Sequence, residues 1–125
     1  MKIDRIDPPR EFLVGHPGQE IALRHCADVT LAPDEQVTLK TESGTEFDVV
    51  RKEWGYYATP SLNGRLASFG LRSALVMSGD RRYLLLVEKD KLADFDAYLK
   101  KQKMTVVAWL DGPEIEFAGA AGAPE

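Results

Sequence analysis

QVTLKTESGTEFDVVR, residues 36–51, alternates apolar and polar side chains on both sides of Glu42-Ser43-Gly44. That period of two is the pattern of a half-buried β-strand. A three-residue loop made of a type I turn and one left-handed residue takes glycine last, where Gly44 stands, because only a residue without Cβ adopts that conformation freely. The resulting register sets Leu39 against Phe47 and Val37 against Val49, gathering the apolar side chains on one face, with Thr41 beside Thr45. On the other face Lys40 meets Glu46 and Thr38 meets Asp48. A two-residue turn at Ser43-Gly44 would put Leu39 opposite Asp48, and the mismatch disfavours it. Residues 36–51 are therefore predicted to form a β-hairpin.

The same period extends to both sides. Residues 20–28 (EIALRHCAD) place Ile21, Leu23, His25 and Ala27 on one side of a strand and Ala22, Arg24, Cys26 and Asp28 on the other. Residues 71–78 (LRSALVMS) and 83–88 (YLLLVE) are apolar on nearly both faces, which predicts two neighbouring strands in the middle of a sheet. One amphipathic helix is expected over 90–103, with Asp90 as its N-cap, Leu92, Phe95 and Leu99 on one face, and lysines near its negative C-terminal end. MTVVAWL, 104–110, is too uniformly apolar for a sheet edge and reads as a last interior strand. The expected architecture is a β-rich α+β domain: a mainly antiparallel rolled sheet or small barrel of about seven strands with the 90–103 helix packed on it. We expect a single globular domain over 1–113, followed by a flexible acidic Gly/Ala-rich tail over 114–125.

With 125 residues, 44% of them hydrophobic, the chain is long enough to build a core without a disulfide or metal staple. Residues 111–125 hold four of the 20 acids and no base, so the body is neutral, 16 acids against 16 bases, and the tail is acidic. No basic surplus exists to displace counterions from phosphates, so no nucleic-acid partner is expected. No apolar run approaches the ~20 residues of a membrane-spanning helix, and MKIDRIDPPR lacks the hydrophobic stretch of a signal peptide. The expectation is a soluble cytoplasmic protein with no membrane partner. The single cysteine, Cys26, cannot form an internal bridge and fits a reducing compartment.

Residues that carry chemistry are sparse. His25 and Cys26 are adjacent on a strand and point to opposite faces, and His16 sits in the turn Gly15-His16-Pro17-Gly18, so no metal and no cofactor is expected. The thiol of Cys26 has Arg24 and Asp28 on its own face, with opposing effects on its pKa. Glu46 and Asp48 share a strand face, the ordinary way in which a strand is solvated. Neither a Gly-x-Ser-x-Gly elbow nor a Gly-rich phosphate loop occurs. No catalytic residue is assigned.

PDEQVTLKTESGTEF, residues 33–47, resembles the first conserved motif of the cupin family, in which two histidines on one strand and a glutamate after a short turn hold a metal inside a small β-barrel. At those ligand positions stand Lys40, Glu42 and Glu46. A charged lysine cannot ligate, so the resemblance implies a metal-free cupin-like enzyme.

RKEWGYYATPSLNGR, residues 51–65, sets three aromatics within four positions among hydroxyls, an amide and three bases. Aromatic faces ringed by fixed polar groups bind polar cyclic ligands, because the ring supplies apolar area and the polar groups supply direction. We expect a small noncatalytic binding domain that recognises a sugar-like small molecule, such as a sugar or sugar-nucleotide, through Lys52, Trp54, Tyr56, Tyr57, Ser61, Asn63 and Arg65. Trp54 and Tyr57 would stack, Tyr56 would pack from the other face, Ser61 and Asn63 would orient hydroxyls, and Lys52 or Arg65 would take a phosphate or carboxylate. The alternatives are a protein partner using the same surface, since Trp, Tyr and Arg are enriched at interface hot spots, and a structural role, since Tyr and Trp are also good strand formers. A ligand site would be concave and an interface flat. Oligomeric state is not legible from these residues.

Overall fold

In the computed structural model, which describes residues 1–118, the described chain forms nine strands and one α-helix. They are β1 (Lys2–Val14), β2 (Ile21–Thr30), β3 (Gln36–Lys40), β4 (Glu46–Lys52), β5 (Gly55–Thr59), β6 (Leu71–Ser78), β7 (Arg81–Glu88), α1 (Leu92–Gln102), β8 (Thr105–Trp109) and β9 (Glu116–Phe117). Short 3-10 turns lie at Arg65–Phe69 and Lys89–Lys91.

The strands make three antiparallel sheets: β1-β2, β3-β4-β5 and β7-β6-β8-β9. The β-rich α+β class with one short helix holds. Among the described residues none of the sheets closes on itself, which corrects the expected barrel. Closure needs a continuous row of donors at each edge. Pro8 and Pro9 interrupt β1 where its register shifts, and Pro60 follows β5 directly, and proline donates nothing to a ladder. The sheets are accordingly built from strands near one another in sequence. A cupin barrel is absent, and the likeness to that family ends at the hairpin.

That hairpin has the predicted register, Val37 with Val49, Leu39 with Phe47, Thr38 with Asp48 and Lys40 with Glu46. The Thr38 hydroxyl donates to Asp48 at 2.6 Å, and Lys40 lies 3.8 Å from the Glu46 carboxylate. The turn closes as expected, with the Gly44 N–H on the Thr41 carbonyl at 3.0 Å and Gly44 at φ +100°.

Ala74 and Val76 of β6 and Leu99 of α1 form the buried core, with Leu85, Phe95, Met104, Val106 and Trp109 packed around them. The helix thus covers one face of the β6 sheet with the apolar stripe read from the sequence. Three details differ. β7 is an edge rather than an interior strand, because no later segment returns beside it. Asp90 does not cap the helix, since the Lys89–Lys91 turn precedes it and α1 starts at Leu92 with no side-chain cap. Glu116 and Phe117, inside the stretch expected as tail, pair with Trp109 and Ala108 of β8, and residues 119–125 of that stretch lie outside the described residues.

β1 was not anticipated, and with β2 it forms a two-stranded ribbon. The ribbon's turn is fastened to the end of α1 by Gln102, only 6% exposed. Its Oε1 accepts from the His16 N–H at 2.7 Å, and its Nε2 donates to the Gln19 carbonyl at 2.8 Å.

Candidate functional site

β4 and β5 are joined through Glu53 and Trp54, with Lys52 opposite Gly55, Arg51 opposite Tyr56 and Val50 opposite Tyr57. Paired residues share a face and successive residues alternate. Tyr56 therefore lies with Arg51 on one side of the sheet, and Tyr57 lies with buried Val50 on the other. Trp54, at the connection, is 71% exposed, Tyr56 66% and Tyr57 46%. The aromatic cluster is a surface feature and not the filling of a barrel.

Trp54 and Tyr56 stand at a groove of about 520 Å³ lined also by Arg51, Glu53, Gly55 and the end of β2 with its successor, Val29, Thr30 and Leu31. Its floor is braced. Arg51 donates from Nη1 to the Leu31 carbonyl at 3.0 Å, and its N–H bonds to the Glu35 carbonyl at 3.0 Å. The Glu35 carboxylate accepts the Ala32 N–H at 2.7 Å and pairs with the N-terminal amine at 3.1 Å. The Ala32 N–H, followed by the amine, holds the Glu35 carboxyl below its ordinary pKa.

The other sequence-derived residues are spread around this groove rather than within it. Lys52 is engaged by Asp34, whose hydrogen bond and charge raise the amine's pKa. Ser61 precedes the 3-10 turn: its carbonyl accepts the N–H groups of Gly64 and Leu66, and its hydroxyl accepts that of Arg65 at 3.3 Å. Arg65 lies over the Phe69 ring at 5.4 Å, and Asn63 is exposed in the loop. The structure thus brings Trp54 and Tyr56 together on one groove and leaves Lys52, Tyr57, Ser61, Asn63 and Arg65 outside its lining. It adds Thr30, Arg51 and Glu53, which sequence reasoning did not select. Arg51 and Glu53 could have been found from the alternation that puts Arg51 on the Tyr56 side. Thr30 depends on the approach of β2, for which no local signal exists.

The acid and base groups weighed in the sequence each meet one partner. Glu46 faces Lys40, Asp48 accepts from Thr38, and His25 Nε2 lies 2.8 Å from Asp28 Oδ1. Among the described residues no three His, Cys, Asp or Glu side chains come together as a metal site, and no helix is long and apolar enough to cross a membrane. Compared with known protein families, curated proteins and solved structures, the chain matches none.

Proposed function

We propose that this chain is a noncatalytic recognition domain that binds a polar cyclic ligand, a sugar or sugar-nucleotide, at the groove beside Trp54 and Tyr56. One observation carries the reading: two exposed aromatic rings stand at a shallow, open groove that Thr30, Arg51 and Glu53 supply with a hydroxyl, a cation and a carboxylate. A pyranose ring presents apolar C–H faces and a rim of hydroxyls, and such a surface meets both. In this reading Trp54 and Tyr56 stack, Arg51 and Glu53 orient hydroxyls, and Lys52 at the flank takes the charge of an attached phosphate. The exposed thiol of Cys26 is in keeping with a reducing compartment, the cytoplasm.

Saturation-transfer NMR with monosaccharides and nucleotide sugars tests this reading. Binding is expected to fall about tenfold in Trp54→Ala and in Tyr56→Ala, the loss of one stacked ring, and to be unchanged in Ser61→Ala. Binding that ignores both aromatic substitutions, or no binding by any sugar, overturns it. A protein partner on the same surface is the second reading, favoured by the free edge of β5 beside these rings, and it predicts that the edge backbone amides are protected only when that partner is added.

A further inference from the structure

The β1-β2 ribbon is the least covered part of the molecule. It is fastened at its turn by Gln102 and at its start by the Met1–Glu35 pair, while Ile3, Leu23 and Val29, on one face, stand exposed. A two-stranded ribbon is marginal in water unless further strands or a helix cover it.

The two edges of the ribbon are not alike. β1 is interrupted by Pro8 and Pro9, while β2, IALRHCADVT, runs for ten residues without glycine or proline and has a neighbour on one side only. A long regular free edge is a template for another strand. The sequence of β2 is also complementary to itself. Laid antiparallel on a second copy with Cys26 on the two-fold axis, it sets Arg24 opposite Asp28 twice on the polar face and Leu23 opposite Val29 twice on the apolar face. Centring on His25 sets Arg24 opposite Cys26, and centring on Ala27 sets Arg24 opposite Thr30, so both lose the charge pairs. Arg24 has no ion pair among the described residues, and Asp28 uses Oδ1 for His25, leaving Oδ2 for a guanidinium.

We infer that two copies of this chain pair through their β2 edges in the Cys26-centred register, giving a four-stranded β1-β2-β2-β1 sheet. Val29 and Thr30, at the end of this edge, also line the groove, so the pairing is measured on the ligand-free chain.

Sedimentation of the full chain under reducing conditions at about 100 µM, a concentration that populates even a weak dimer, is expected to give the dimer mass. Arg24→Asp and Asp28→Arg each place like charges opposite one another twice, and each is expected to weaken the dimer at least tenfold. The double exchange restores opposite charges and is expected to return the affinity to within about threefold of the parent. Diamide, which takes up the two protons and two electrons released as two Cys26 thiols join, is expected to cross-link the parent and the double exchange but not the single variants at equal concentration. Circular dichroism verifies that all three variants fold. A parent chain that sediments as a monomer, a dimer indifferent to both single substitutions, or a double exchange that fails to restore pairing overturns the inference.

Discussion

Gln102→Ala removes the clasp between α1 and the ribbon turn, and its cost follows from the geometry. The side chain makes two hydrogen bonds, 2.7 Å from the His16 N–H and 2.8 Å to the Gln19 carbonyl. Each is worth about 1 kcal/mol net, and a part-buried N–H left without a partner costs at least that much. The void left by a side chain only 6% exposed adds to this, for a total of about 2–4 kcal/mol. At roughly 4 °C per kcal/mol for a domain of this size, the melting temperature should fall by about 8–15 °C. Because the ribbon has little other attachment, part of the loss is local: amides of residues 15–20 should exchange about 30-fold faster, the equivalent of about 2 kcal/mol. Urea unfolding followed by circular dichroism gives the first quantity and hydrogen exchange the second. A loss under about 0.5 kcal/mol with unchanged exchange would refute the assignment of Gln102 as the anchor.

Further substitutions probe the rest of the fold. Leu66 is fully buried beneath β6, so Leu66→Ala should cost about 2–5 kcal/mol by urea denaturation. Ser73 is fully buried and its hydroxyl has no partner, so Ser73→Ala should leave stability unchanged or raise it by up to about 1 kcal/mol. Gly44 sits at φ +100° with open space around it, and Gly44→Ala should cost about 1 kcal/mol through backbone strain alone. The raised pKa of Lys52, caused first by its hydrogen bond to Asp34, stabilises the fold below the amine's ordinary pKa and is lost as pH rises through the folded value. In Asp34→Asn the NMR titration of the Lys52 Cε should move back down. Glu35 has the opposite sign: its lowered pKa contributes above the ordinary carboxylate value and is lost as pH falls through the folded one.

The elements that sequence reading found are those whose information is local. Alternation and Gly44 specify the 36–51 hairpin to the residue, and the spacing of Phe95 and Leu99 locates the buried face of α1. β1 escaped because Pro8 and Pro9 lie inside it, where proline normally argues against a strand, and because its apolar residues Ile3, Ile6, Phe12, Leu13 and Val14 do not alternate. Here the register shift between Arg5 and Arg10 accommodates them. Division into three sheets was not legible, because alternation gives the face of a strand and not its neighbour. The same limit applies to the site. Trp54, Tyr56 and Tyr57 stood out by composition, yet a Tyr-Trp cluster suits a core as well as a surface, and only the fold brings Thr30 to Tyr56.

Emission from Trp54 in a Trp109→Phe variant tests the recognition surface most directly. Trp109 packs edge-on against Phe95 at 6.0 Å and beneath Arg72 at 3.9 Å, a setting that another aromatic ring preserves, so Trp54 then reports alone. Acrylamide is expected to quench it readily, and a sugar or sugar-nucleotide that occupies the groove is expected to protect it saturably. A Trp54 shielded from acrylamide in the monomer, or one that every sugar leaves equally quenched, would contradict a binding role for this groove.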